Sequence, residues 1–223
     1  MTKTAILVDG GWMALELAKL LGVKYASADQ IYTYAKSVLH ADEELYRFFY
    51  YDAEPYNGKA KNPISKQEKD FSSTKSANAR RRFFEELVAK PQVALRLGTV
   101  SYHDWKLTDT FYSGLINGTL PTTAIRAEDI MPNFSQKGVD MRIGIDIASL
   151  VFKKIVSRII LFSGDTDMIP AMKLARVEGV QIVVVQIGAS KLVPKLIEDS
   201  DFVRELQLLK SSAMQKQVGC FVV

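Results

Sequence analysis

The run Arg158-Ile159-Ile160-Leu161-Phe162-Ser163-Gly164-Asp165-Thr166-Asp167 decides how this chain folds. Arg158–Phe162 is a short, continuous apolar stretch, the pattern of a strand covered on both faces. Ser163-Gly164-Asp165 is the turn that ends it. The segment Met168–Arg176 then reads as a helix, which stops before Gly179. A second apolar strand follows at Val180–Ile187. Strand, helix and strand in this order predict a parallel sheet with helices on both faces.

The same grammar extends upstream. Val139–Ile155 reads as a helix, with Ile143, Ile147, Leu150 and Val151 on its buried stripe. At the N-terminus, Ala5-Ile6-Leu7-Val8 forms a buried strand that enters the turn Asp9-Gly10-Gly11. A helix over Trp12–Leu21 follows, with Leu15, Leu17, Ala18 and Leu21 on one side. A second helix spans Ala28–His40 behind the capping residue Ser27. Tyr46–Tyr51 reads as an aromatic-rich strand, stopped at Pro55. Residues 56–72 lack periodicity and read as a long mobile loop. A helix over Ser73–Lys90 buries Phe83, Phe84, Leu87 and Val88, and a third strand runs over Val93–Val100. Residues 103–136 read as a short hairpin or irregular excursion. A short helix falls at 190–198, and a short strand or helix at 201–206. The expected fold is a three-layer α/β/α sandwich with a mostly parallel central sheet, one domain over 1–208 with a tail at 209–223.

Composition agrees with one soluble domain. The 223 residues are 48% hydrophobic and 24% charged, enough apolar content to build a core. One Cys and two His exclude a disulfide framework and a cysteine-built zinc cluster. The apolar run Thr4–Val8 is broken by Asp9, too short for a secretory segment. No run approaches the roughly 18 apolar residues of a membrane span. Cys220-Phe221-Val222-Val223 has the form of a prenylation box, but only Lys210 and Lys216 are basic nearby, so it reads as a chance C-terminus. The expected location is the cytoplasm, with no membrane partner.

The formal charge of +4 is unevenly spread. Residues 1–56 carry net −3, residues 57–106 net +6 and residues 107–223 net +1. Within 57–82, eight Lys or Arg face two Asp or Glu. A local basic surplus is a candidate footprint for a polyanion, beside the plainer reading of a solvated loop.

Acidic residues stand after the strands, where open α/β sheets bind ligands. Asp9 follows the first strand, Asp52 and Glu54 the second, and Asp165 and Asp167 the strand Arg158–Phe162. Asp140 is spaced three residues from Ile143, which places it on the buried stripe at the start of its helix, with Asp146 on the other shoulder. Clustered carboxylates raise one another's pKa or need a cation. Oxygen ligands suit Mg²⁺ or Mn²⁺, and such an ion serves phosphodiester hydrolysis. Simpler roles stand beside this one: Asp9 and Asp167 as helix caps, Asp140 as a dipole partner, Asp146 as a structural hydrogen-bonder, Asp52 and Glu54 as turn residues. His40 and His103 read as structural.

The blocks Ala5–Gly11, Tyr50–Ala53, Lys137-Gly138-Val139-Asp140 with Asp146, Ser163–Asp167 with Pro170, and Glu178-Gly179-Val180 come in the order seen in NYN domains. The chain resembles the LabA-like group of these domains, within the PIN-like nuclease superfamily, over residues 4–206. The resemblance implies a PIN-like, Rossmann-like α/β/α sandwich and metal-dependent ribonuclease activity. It implies Mg²⁺ or Mn²⁺ held by Asp9, Asp140, Asp165 and Asp167, Asp146 as a further catalytic acid, and products with 5′-phosphate and 3′-hydroxyl ends. The family's common Asn three residues after the first Asp is Trp12 here.

The first expectation is therefore a ribonuclease with RNA as partner. Lys59, Lys61, Lys66, Lys69, Lys75, Arg80, Arg81 and Arg82 are its candidate backbone contacts. Lys137 and Ser163 are candidates for the scissile phosphate. DNA as substrate, a homo-oligomer and a protein partner stay open. The alternative is an RNA- or protein-binding PIN-like module with little or no cleavage. A haloacid-dehalogenase-type phosphatase needs a second acid two residues after the first, and that place is Gly11.

Overall fold

The computed structural model describes residues 1–121, 123, 125–209 and 220–222. The chain forms two compact units. One comprises 1–52, 83–97 and 138–223; the other comprises 53–82 and 98–137.

The first unit is a sheet clothed by helices. Its strands are β1 (Thr2–Asp9), β2 (Glu43–Ala53), the first part of β5 (Val93–Leu107), β7 (Arg158–Phe162), β8 (Gln181–Ile187), β9 (Phe202–Leu206) and β10 (Cys220–Val222). Their order across the sheet is β10-β9-β8-β7-β1-β2-β5. β1 runs parallel to both β2 and β7, β7 to β8, and β8 to β9, while β10 runs antiparallel to β9. Backbone hydrogen bonds from Phe48 N–H to Gln92 O and from Glu54 N–H to Gly98 O run β5 parallel to β2. The α/β class with a mostly parallel central sheet is therefore as the sequence predicts.

Alternation along the strands builds the two core layers. Ile6, Val8, Ile160, Phe162, Val183 and Val185 pack with α1 (Gly10–Leu21) and α2 (Ala28–Ser37). The intervening Ala5, Leu7, Ile159, Leu161, Ile182 and Val184 are equally buried and point to the opposite face. α5 (Val139–Phe152) buries Val139, Ile143, Ile147, Leu150 and Val151, and α6 (Ile169–Val177) buries Met172 and Ala175. Several side chains depart from the expected stripes. Leu15 is 55% exposed and Val88 52%, while Met13 takes the inner place on α1. Val139, not Asp140, begins the buried stripe of α5, because 139, 143 and 147 lie four apart.

A buried ion cluster ties the starts of the strands together. Arg204 donates to both carboxylate oxygens of Glu43 at 2.7 and 2.9 Å and to the carbonyl of Val38. Arg158 donates to the same Glu43 and to Gln181. Burial raises the Glu43 pKa, but the hydrogen bonds from Arg204 and Arg158 outweigh it and hold the carboxyl at about 2.

The second unit contains the rest of β5 paired antiparallel with β6 (Ile130–Lys137), α4 (Asp109–Ile116), and a hairpin of β3 (Lys59–Lys61) and β4 (Glu68–Asp70). The segment expected to be a mobile loop is thus partly ordered. Lys59-Ala60-Lys61 alternates with Ala60 buried, and Asn62 Oδ1 accepts from the Ile64 and Ser65 N–H groups to close the turn. Tyr56, Phe71, Tyr102 and Phe134 form a small aromatic core, with ring centroids 5.2 to 5.9 Å apart. α3 (Lys75–Val88) carries its first turns in this unit and its last in the other. Among the described residues, no helix is long and apolar enough to cross a membrane. Lys210, Lys216 and Val223, on which the prenylation reading leaned, lie outside the described residues, as does most of the expected tail.

Candidate functional site

Strand order positions the candidate site. The chain builds outward from β1 through β2 to β5, then returns to lay β7, β8 and β9 on the other side. The reversal lies between β1 and β7, and the carboxyl ends of those strands carry Asp9 and Ser163-Gly164-Asp165. Such a switch point leaves a crevice where two connections diverge.

Asp9 is both the last residue of β1 and the N-cap of α1. Its Oδ1 accepts from the N–H groups of Gly11 at 3.1 Å and Trp12 at 3.3 Å. The capping role is therefore real, and it does not exhaust the residue. Burial pushes the Asp9 pKa up to about 6, and the nearby carboxylates of Asp140 and Asp52 push the same way against the two capping N–H groups. Asp52, expected to be a turn residue, is instead a buried member of β2 only 2% exposed. Gly10 gives Tyr50 room: a Cβ there would lie 2.5 Å from the Tyr50 ring.

Asp140 opens α5 after Gly138, whose φ of 77° suits glycine. It is exposed rather than turned into the stripe. Partial burial raises its pKa, and the charges of Asp165 and Asp167 raise it further. Asp165 lies at the turn after β7. Its Oδ1 accepts from the Asp167 N–H at 2.9 Å, and its own N–H donates to Ser163 Oγ at 3.1 Å. Asp165, not Asp167, is thus the cap in this turn. Gly164 is required by a close approach, since a Cβ there would sit 2.4 Å from Trp12 Nε1. Trp12 therefore packs onto the turn that carries Asp165.

Asp146 stands in a different assembly. Its Oδ2 accepts from the Tyr51 hydroxyl and from Arg96 Nε, each at 2.9 Å. Burial raises the Tyr51 pKa well above its ordinary value, and Asp146 adds to that. Arg96 went unnoticed in the sequence because it lies inside an apolar strand run without motif context.

The electrostatic couplings thus link Asp9 with Asp140 and Asp52, and Asp140 with Asp165 and Asp167. Among the described residues, no three His, Cys, Asp or Glu side chains are drawn close enough to hold a metal ion. The donor chemistry nonetheless suits a hard divalent cation. The groups are carboxylates only, and two of them are penalised in their charged form by like neighbours.

The basic candidates lie in the second unit, with Ser163 buried in the first. Several are engaged locally. Lys59 pairs with Glu68 at 3.6 Å, Lys66 Nζ donates to the Pro63 carbonyl, Lys69 lies over the Phe71 ring, and Arg81 donates to the Ser72 carbonyl and to Asn78. Lys61, Lys75, Arg82 and Lys137 are exposed, and Arg80 is half-buried. His103 bonds Ser135 at 2.6 Å, and His40 Nδ1 lies 3.5 Å from Arg204.

No curated protein matches this chain. Among solved structures, a protein of unknown function from Vibrio parahaemolyticus RIMD 2210633 is similar, with 14% identity over 94% of each chain and a TM-score of 0.49. Residues 118–207, the segment that carries Asp140, Asp146, Ser163, Asp165 and Asp167, match the family model of the NYN domain.

Proposed function

We propose that the chain is a metal-dependent ribonuclease, with the carboxyl edge of β1 and β7 as its active site. The observation that carries this reading is the set of aspartates at the topological switch point, where Asp140 pushes the Asp9 pKa up and Asp165 and Asp167 push that of Asp140 up. The NYN match supports it, since NYN domains belong to the PIN-like nucleases. We assign the chain to the LabA-like group on the Lys137–Asp140 and Ser163–Asp167 blocks of its sequence.

Asp9, Asp140, Asp165 and Asp167 would hold Mg²⁺ or Mn²⁺. The ion would supply an acidified water and charge neutralisation at the phosphodiester, leaving 5′-phosphate and 3′-hydroxyl ends. The chain's own contribution is placement. The Asp9 cap fixes one carboxylate against α1, and the Ser163–Asp165 turn fixes another. Asp140 stands at the start of α5, exposed to substrate. Ser163 is fully buried, and its Oγ accepts the Asp165 N–H, so its contribution is to hold the turn that carries Asp165. Lys137 and the cations of 57–82 would contribute sequence-independent phosphate contacts.

A second reading, an RNA- or protein-binding module with little cleavage, draws on one observation: no three ligating side chains are gathered among the described residues. Incubation of end-labelled RNA with Mn²⁺, with and without EDTA, separates the two. The ribonuclease reading expects EDTA-sensitive cleavage that Asp165→Asn abolishes while the circular dichroism stays unchanged. Binding with no cleavage supports the module instead.

A further inference from the structure

Arg96 is held at one point and open at the others. Its Nε donates to Asp146 at 2.9 Å, and its guanidinium lies over the Phe49 ring, 5.2 Å from the centroid. Asp146 is fixed in turn by the buried Tyr51 hydroxyl. The two terminal nitrogens of Arg96 make no hydrogen bond or ion pair among the described residues, and the side chain is 39% exposed. An ion pair this exposed contributes little stability. What the arrangement does provide is orientation, because a guanidinium fixed by its Nε and by a ring face presents its remaining N–H groups as a rigid fork.

Arg96 shares a row of the sheet with Asp9. Asp9 is the register partner of Tyr51. The Phe48–Gln92 and Glu54–Gly98 hydrogen bonds set Arg96 beside Tyr51 on the next strand. Asp9, Tyr51 and Arg96 therefore form one row across β1, β2 and β5. Two interstrand spacings separate the ends of that row, about 10 Å. That is the separation of their Cα atoms; with Nε tied to Asp146 and its plane on Phe49, the fork is held away from Asp9 at its own strand and suits a phosphate next along the backbone.

We propose that Arg96 is a substrate-positioning clamp for an RNA backbone phosphate next to the one cut, oriented by the Asp146–Tyr51 pair. The proposal rests on the ribonuclease reading and adds to it a named anion site and a role for Asp146. Two terminal N–H groups match two non-bridging phosphate oxygens, which an ammonium group does not reproduce.

Fluorescence anisotropy of a fluorescein-labelled RNA oligonucleotide in EDTA, titrated across salt concentrations, tests the clamp. Arg96→Met should weaken binding about tenfold and make the log K against log salt slope shallower by about 0.7, the loss of one phosphate contact to a single strand. Arg96→Lys keeps the charge, so its slope should stay near that of the wild type while affinity falls about threefold. Tyr51→Phe, which frees Asp146, should weaken binding in the same direction with no change of charge. In Mn²⁺ turnover, the Arg96 variants should raise KM far more than they lower kcat. An Arg96→Met protein with wild-type circular dichroism, affinity and salt slope overturns the clamp and leaves the ribonuclease reading standing. If that variant fails to fold, Arg96→Lys decides: a wild-type KM and affinity overturn the proposal. A wild-type protein that neither binds nor cuts RNA overturns both readings.

Discussion

Asp9 does two things at once, and its pKa records the conflict. As a cap it needs its negative charge; as a half-buried carboxyl beside Asp140 and Asp52 it resists ionising. The folded protein therefore keeps a proton on Asp9 between its ordinary 3.8 and about 6. A proton bound more tightly when folded makes stability fall as pH rises through that window, by up to about 3 kcal/mol. In EDTA, urea unfolding should show this loss between pH 4 and 6. Asp9→Asn, which still caps, should flatten it. Divalent-cation binding has the opposite slope, because the ion needs the ionised form. Mn²⁺ affinity should therefore weaken as pH drops below about 6. A Mn²⁺ affinity that does not change across that window removes Asp9 from the site. Gly164 offers a second test at this scale. Adding a methyl meets the Trp12 indole, so Gly164→Ala should cost about 1–3 kcal/mol in urea unfolding and be partly relieved by Trp12→Phe. The sequence pointed to Asp9, Asp140, Asp165 and Asp167 because each stands at a strand or helix end. It misplaced Asp52, since a carboxylate can be the last buried residue of a strand as readily as the first residue of a turn. It could not show Arg96, whose role arises from pairing across β2 and from α5.

At the scale of elements, the strand starts are held by charge and the strand ends by caps. Glu43 and Arg204 are both fully buried, and the strands that carry them are far apart in the chain. Breaking one partner leaves an uncompensated buried charge. Glu43→Gln or Arg204→Met should each lower stability by about 3–5 kcal/mol in urea titration, and a Glu43→Leu/Arg204→Leu/Arg158→Gln triple should recover much of it, since Arg158 also pairs with Glu43. Because the Glu43 pKa is depressed to about 2, the stability it contributes is complete above its ordinary 4.5 and lost as pH falls from there toward 2. Helices with one apolar stripe were legible, as α5 shows with Ile143, Ile147, Leu150 and Val151 in place. Stripe edges were not: Asp140 and Leu15 lie within one helical step of the buried face and look outward. The hairpin over 59–70 was missed because three-residue strands rich in lysine carry too little alternation to register.

For the whole molecule, the parallel sheet followed from the order of apolar runs, but its reversal between β1 and β7 did not. That reversal depends on which neighbour each strand selects, and it brings Asp9 within electrostatic reach of Asp140, about 130 positions away in sequence, and Asp140 within reach of Asp165. The division into two units was also hidden, because the second unit is assembled from 53–82 and 98–137 around an aromatic core whose members are scattered. Its net basic character predicts a salt-sensitive affinity for RNA. Replacing Lys61, Lys75 and Lys137 together by Ala should make the salt slope shallower without changing the fold. Ribonuclease function stands or falls on chemistry at the aspartates. The deciding observation is the end chemistry of labelled RNA after incubation with wild type and Asp140→Asn in Mn²⁺. Metal-dependent hydrolysis at this site predicts fragments with 5′-phosphate and 3′-hydroxyl ends from wild type, and none from Asp140→Asn or in EDTA. Equal cleavage by Asp140→Asn, or cleavage that persists in EDTA, would contradict it.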